Sequence, residues 1–252
     1  MKLQELDAFF RDYLAIDSFV QADTSLNGLQ VEVTREVQKI AFAVDASLET
    51  FKKAASIGAN LLFVHHGLFW GKPLAIRGIL RQRVQFLLDN DLGLYACHLP
   101  LDAHPVVGNN AGLAELLGIE KPEPFALYHG KMIGFKGRLA KPLTIEESCT
   151  KIAWQGRPPL GVYPFGKELN ETAAVVSGGG PYEVAEAIAE GIDLYVTGEM
   201  SHGVWADIQE AGINMIAGGH HSTEVWGVQR LMEHCKKELK LDCTFIDVPS
   251  GL

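Results

Sequence analysis

The chain has 252 residues, 47% hydrophobic and 21% charged, the proportions of a soluble globular protein with enough apolar material for one large or two modest domains. Its 22 Lys and Arg stand against 31 Asp and Glu, a net charge of −9, so the basic footprint of a nucleic-acid binder is missing. No run approaches the ~18 apolar residues of a membrane helix, residues 1–7 are charged and amphipathic unlike a signal peptide, and four cysteines without CxxC or zinc-ribbon spacing read as free thiols of a cytoplasmic protein.

Residues 3–16 carry Leu3, Leu6, Phe9, Phe10, Tyr13 and Leu14 at helical spacing, which predicts an amphipathic opening helix. A turn-rich stretch, 23–30, leads into a strand at 31–33, and 39–45 reads as a buried strand. Ser47 is a natural N-cap for a helix to about Ser56, with Gly58 where a helix stop is expected. A second strand, 60–64, runs into His65-His66-Gly67. A helix over 78–89 and a strand over 92–97 follow, the strand ending at His98-Leu99-Pro100-Leu101-Asp102. Strands alternating with helices predict an α/β fold with a largely parallel sheet. Residues 119–170 hold six prolines and a strand-like 132–139. They read as a connector with its own strands, followed by a helix from the Thr144-x-x-Glu147 capping box to about Trp154.

The second half echoes the first. Strand 173–177, helix 181–190 and strand 191–197 set Gly191-Ile192-Asp193-Leu194 against Gly58-Ala59-Asn60-Leu61 at an offset of 133. A helix over 204–210 and a strand over 214–217 then reach Gly218-Gly219-His220-His221-Ser222-Thr223-Glu224, where an offset of 122 sets His220 and Glu224 against His98 and Asp102. Two intertwined α/β repeats with mixed, mostly parallel sheets are expected, divided near residue 125 into 1–125 and 126–252.

Five of the nine histidines follow predicted core strands: His65-His66, His98 and His220-His221. Ligands of parallel sheets bind at the carboxyl ends of strands. Neighbours leaving a strand point to opposite sides, so His65 and His66 suit two adjacent ions better than one. His220 and Glu224 are spaced i, i+4, one face of a helical turn. The His-x-x-x-acid spacing alone is weak: nine histidines among 31 acids in 252 positions give about one such pair by chance. Three occur, one of them (His234 and Glu238) on a solvated C-terminal helix face. Placement at three strand ends carries more weight.

Asn27-Gly28-Leu29-Gln30, His65-His66-Gly67, His98-Leu99-Pro100-Leu101-Asp102, Thr197-Gly198-Glu199 and Gly219-His220-His221-Ser222-Thr223-Glu224 occur in one order. Together they resemble the YbgI-like dinuclear metal-centre family, often labelled GTP cyclohydrolase 1 type 2 homologs, in its short form. The resemblance runs from about residue 20 onward; the last three residues depart from the usual Asn-Pro-apolar ending. It implies two divalent metal ions (Zn, Fe, Mn or Ni) held by His65, His66, Asp102, His220 and Glu224, with Glu224 bridging, and a hexameric ring. His98 is either a further ligand or a donor orienting one, and His98 and Glu199 are the proton-transfer candidates. The remaining histidines are expected at the surface or as caps, and Cys97 as buried filler. Ser177-Gly178-Gly179-Gly180-Pro181 is either an anion-binding turn or, as preferred here, a tight turn with Pro181 at the first helical position. Two functions follow: a metal-dependent hydrolase of a small molecule, nucleotide derivatives among the candidates, or a non-enzymatic metal-binding scaffold, regulator or metal chaperone.

Overall fold

The computed structural model describes residues 1–252. Packing divides the chain into two compact units, Met1–Leu101 with Val228–Val248, and Asp102–Gly227 with Pro249–Leu252. This division by contact falls elsewhere than the repeat boundary near residue 125.

In the first unit α1 (Leu3–Tyr13) buries Leu3, Leu6 and Phe10. It stops short of residue 16, because Ala15 turns left-handed (φ 50°) and a 3-10 turn over Ile16–Phe19 buries its own two apolar residues instead. β1 (Gly28–Val31) precedes β2 (Lys39–Asp45), α2 (Leu48–Ser56), β3 (Leu61–His66), α3 (Gly78–Asp89), β4 (Gly93–Ala96) and α4 (Leu99–Ala103). Ser47 caps α2 as its composition predicts, its hydroxyl accepting from the Thr50 amide. The sheet order is β1-β4-β3-β2, with β1 antiparallel to β4 and the rest parallel. Phe10 packs its ring 5.0 Å from Phe63 and 4.9 Å from Tyr95, closing one face of the sheet. Phe51, Leu62, Val64, Leu87 and Leu94 fill the core of the other face.

The second unit contains α5 (Asn109–Leu117), β5 (Ile119–Tyr128), β6 (Lys131–Leu143), α6 (Ile145–Ile152), β7 (Gly161–Pro164), β8 (Asn170–Val176), α7 (Val184–Ala189), β9 (Leu194–Thr197), α8 (Trp205–Ala211), β10 (Asn214–Ala217) and the start of α9 (His220–Leu239). Its sheet order is β5-β6-β8-β9-β10-β7. The presumed connector is therefore an antiparallel hairpin, β5 and β6, that extends the sheet past β8. The prolines hid it: Pro122 and Pro124 lie on an edge strand, where a missing N–H is tolerated. The Thr144 capping box forms as expected. The last strand, β11 (Asp242–Phe245), returns to the first unit and pairs parallel with β2.

The repeat is visible in the hydrogen bonding of each unit. Ile40 pairs with Leu61, and Ala173 with Leu194, each 133 residues on. Asn60 Oδ1 accepts from the Gln38 and Lys39 amides, and Asp193 Oδ2 accepts from those of Glu171 and Thr172, again 133 residues on. Gly58 and Gly191 close the helices before these residues with φ of 73° and 69°. An antiparallel edge strand lies on the third parallel strand in each case, β1 on β4 and β7 on β10. The fold is two α/β repeats with mixed sheets.

Candidate metal centre

In the first unit the ends of β3 and β4 bring His65, His66 and His98 together, with ligand atoms within 4.8 Å of one another. The rings of His65 and His66 lie 4.7 Å apart, tilted by 43°. Strand alternation alone would separate them; the strand ends here, and both rings serve one cluster.

Each imidazole is held by Nδ1. That of His65 donates to the Cys97 carbonyl at 2.9 Å, that of His66 to Asp45 Oδ1 at 2.8 Å, and that of His98 to Asp23 Oδ1 at 3.0 Å. Carbonyl and carboxylate oxygens only accept, so Nδ1 carries a proton and Nε2 is the nitrogen that could serve as a ligand. His65 is fully buried, as is Cys97, whose backbone and not its thiol does the work. Burial would raise the Asp23 carboxyl, but the bonds from His98, Asn27 and the Ser25 amide hold it below the usual carboxylate range. Trp70 stands edge-on to His98, ring centroids 4.8 Å apart.

In the second unit Glu224 and His220 share the first turn of α9, with Nε2 of His220 3.2 Å from Glu224 Oε1. His220 Nδ1 meets Glu199 Oε1 at 2.6 Å. Burial would lower the imidazole pKa; the two carboxylates, Glu224 first, raise it to about 9. Asp102 lies on α4 with a ligand oxygen within 4.8 Å of one of Glu224. Its Oδ1 accepts from Ser177 Oγ at 2.7 Å and Asn109 Nδ2 at 2.9 Å. Asp102 and Glu224 are 5% and 3% exposed, so two carboxylates are buried side by side, an arrangement that calls for a cation.

The glycine turn has a different purpose from either expectation. Pro181 does not start the helix, which begins at Val184. Gly178, at φ 63°, sits where a Cβ would collide with Glu224 Oε1, so the absent side chain makes room for that carboxylate. Gly178 thus faces Glu224, and Gly179 faces Glu199.

Of the sequence-predicted residues, His65, His66 and His98 gather in the first unit, and Asp102, Glu199, His220 and Glu224 in the second. Five that hold them went unread: Asp23, Asp45, Asn109, Asn110 and Ser177. Asn110 is fully buried and accepts from the Ser177 amide at 2.6 Å, while Asn109 Oδ1 accepts from that of Gly227 at 2.6 Å. Adjacent asparagines opening an apolar helix were the available signal. Among the other histidines, His104 caps its turn through the Val106 and Val107 amides, and His234 stacks on Tyr13 with ring centroids 4.2 Å apart.

The profile of the Duf34/NIF3 (NGG1p interacting factor 3) family matches residues 1–250. A protein of Archaeoglobus fulgidus named GTP cyclohydrolase 1 type 2 homolog is 45% identical over 252 residues, all of both chains. One of the same name from Escherichia coli K12 is 40% identical, covering 99% of each chain. The solved structure described as protein ybgI, of unknown function, superposes with a TM-score of 0.92 at 38% identity over the whole of both chains.

Proposed function

The chain belongs to the Duf34/NIF3 family, and from that premise we propose that it is a dinuclear metal-dependent hydrolase of a small molecule. In this reading His65, His66, Asp102, His220 and Glu224 would hold two divalent ions. The observation that supports it most is the side-by-side burial of Asp102 and Glu224, 5% and 3% exposed, in a fold where His65, His66, His98 and His220 each hold Nδ1 engaged.

Nitrogen and oxygen donors without thiolate suit Zn, Fe, Mn or Ni. Bound there, such ions would lower the pKa of a water and polarise a substrate oxygen. The remaining chemistry belongs to the protein. Glu199, half-exposed and bonded to His220 Nδ1, is set to take or return a proton at the open side; His98 can do so through Nε2. With a formal charge of −9, the chain would depend on the ions to attract a phosphorylated substrate. The names of the relatives make nucleotides the first compounds to try.

The experiment is metal analysis of the purified protein, then a screen of phosphoester, amide and purine-ring compounds beside H66A and E224A. Bound ions and turnover lost in both variants support the hydrolase. Tightly or loosely bound metal with identical rates in all three proteins would replace it with a scaffold or metal carrier. Assembly into a cytoplasmic hexameric ring belongs to the same proposal. No helix is long and apolar enough to cross a membrane, and exposed Leu74, Ile76 and Ile79 are apolar surface that assembly would cover. Sedimentation equilibrium giving one chain mass would remove the ring.

A further inference from the structure

The turn before β1 is tied to the strand end that carries His98. The Asp23 side chain is 1% exposed. Its Oδ1 accepts from the Ser25 amide at 2.9 Å and from His98 Nδ1 at 3.0 Å; its Oδ2 accepts from Asn27 Nδ2 at 2.8 Å and the Leu99 amide at 3.0 Å. A carboxylate has about four lone-pair sites, so Asp23 is saturated and cannot itself ligate an ion or take a proton. Asn27 Oδ1 accepts from the His98 amide at 2.7 Å, which fixes the orientation of its own amide group. Asp23 and Asn27 thus hold the ring, the backbone and the following residue of His98. The same loop reaches the other histidines: Gln30 Oε1 accepts from the Leu68 amide at 2.7 Å, and its side chain occupies the space a Cβ at Gly67 would need.

We propose that Asp23 and Asn27 are positioning residues that lock His98 as the Nδ1–H tautomer and present its Nε2 to His65 and His66. The inference rests on the metal-centre reading for its consequence, but the tautomer itself needs no ion. A saturated aspartate serves this purpose better than a free one, because it cannot swing toward the ion and compete with the ligands. Trp70 packs edge-on against the ring, with centroids 4.8 Å apart. The lock also explains a motif, Asn27-Gly28-Leu29-Gln30, that supplies no ligand.

The test uses the full chain and two readouts, long-range proton–nitrogen NMR of the histidine rings in metal-free protein and titration with Co²⁺ followed by its visible absorption. In the wild type, His98 should show a protonated Nδ1 and a bare Nε2. D23N puts an NH₂ group among donors and should move His98 toward the other tautomer, with Co²⁺ affinity falling at least tenfold. N27A leaves Asp23 in place, so it should keep the tautomer and lose affinity by a smaller factor. Should D23N not fold, N27D is read instead: it removes the donor to Asp23 Oδ2, and a wild-type His98 spectrum and Co²⁺ affinity within twofold would overturn the proposal. The same pair of results in folded D23N would do so too. Wild-type protein that takes up no Co²⁺ defeats the metal-centre reading, while the tautomer measurement still decides this one.

Discussion

His220 lies between two carboxylates, and its raised pKa, to about 9, makes a prediction with a definite sign. The folded value lies above the unfolded 6.5, so the stabilisation from the charged imidazole is full below about pH 6.5 and is lost as the pH rises through 9. Metal-free protein should therefore melt at a lower temperature at pH 9.5 than at pH 6.5, and H220Q should flatten that difference. A divalent ion must displace the same proton, so uptake should strengthen over this interval. Calorimetric titration in two buffers of different ionisation enthalpy would show proton release; none at pH 7.5 would contradict the pairing. Gly178 gives a second residue-level outcome. G178A would drive a methyl group into Glu224 and strain a left-handed backbone by ~1–2 kcal/mol. At Gly179 a Cβ would meet Glu199 Oε2 and His220 Cε1 at 3.7 Å, ordinary contact. G178A should lose Co²⁺ affinity by more than tenfold and G179A by less than threefold. Equal affinities would mean that the turn does not shape the site.

At the scale of elements, Asn60 and Asp193 form one device used twice, a side-chain oxygen that gathers the two amides opening the neighbouring strand. N60A and D193A each leave two N–H groups without their acceptor, so each should destabilise by about 1–3 kcal/mol. D193N keeps an acceptor and loses mainly the ion pair with exposed Lys167, worth less than ~1 kcal/mol. Urea unfolding checks the order; D193N as harmful as D193A would make the charge the essential part. The repeat that carries this device was legible in the sequence through the Gly-x-Asn/Asp-Leu pattern before a strong apolar strand, while its amide-gathering role was not. The strands with Val, Ile, Phe and Leu, such as β2, β3 and β10, and the capped helices α2 and α6 were readable for similar local reasons. Of the β5–β6 hairpin only the strand over 132–139 was readable, since the prolines and charges of β5 give a connector's composition and the pairing is not announced by either segment alone. The histidine positions came from strand ends, whereas Asp23 and Asp45 hold His98 and His66 across distances that no spacing rule reports. Asp23 is 75 residues from the ring it orients.

At the scale of the molecule, the proposed ions draw ligands from two packing units, and this has a measurable thermodynamic consequence. Binding to the folded state adds RT ln(1 + [L]/Kd), about 2.7 kcal/mol at a hundred times Kd, to whatever unfolding event breaks the site. An ion shared by His65 and His66 with His220 and Glu224 is released when either unit opens. Its stabilisation therefore appears in both, and the slowest-exchanging amides of β3 and β9 should slow together, by ~100-fold, on metal addition. An ion held by the three imidazoles of the first unit alone would protect β3 and β4 and leave β9 at its metal-free rate. H66A and E224A separate the cases further. With a shared ion, either variant should abolish the protection in both strands, since a ligand lost from one unit removes the linkage felt by the other. With a site confined to the first unit, E224A should leave the protection of β3 intact. Hydrogen exchange read by mass spectrometry, with and without Co²⁺, distinguishes these outcomes in one set of samples, independent of any substrate.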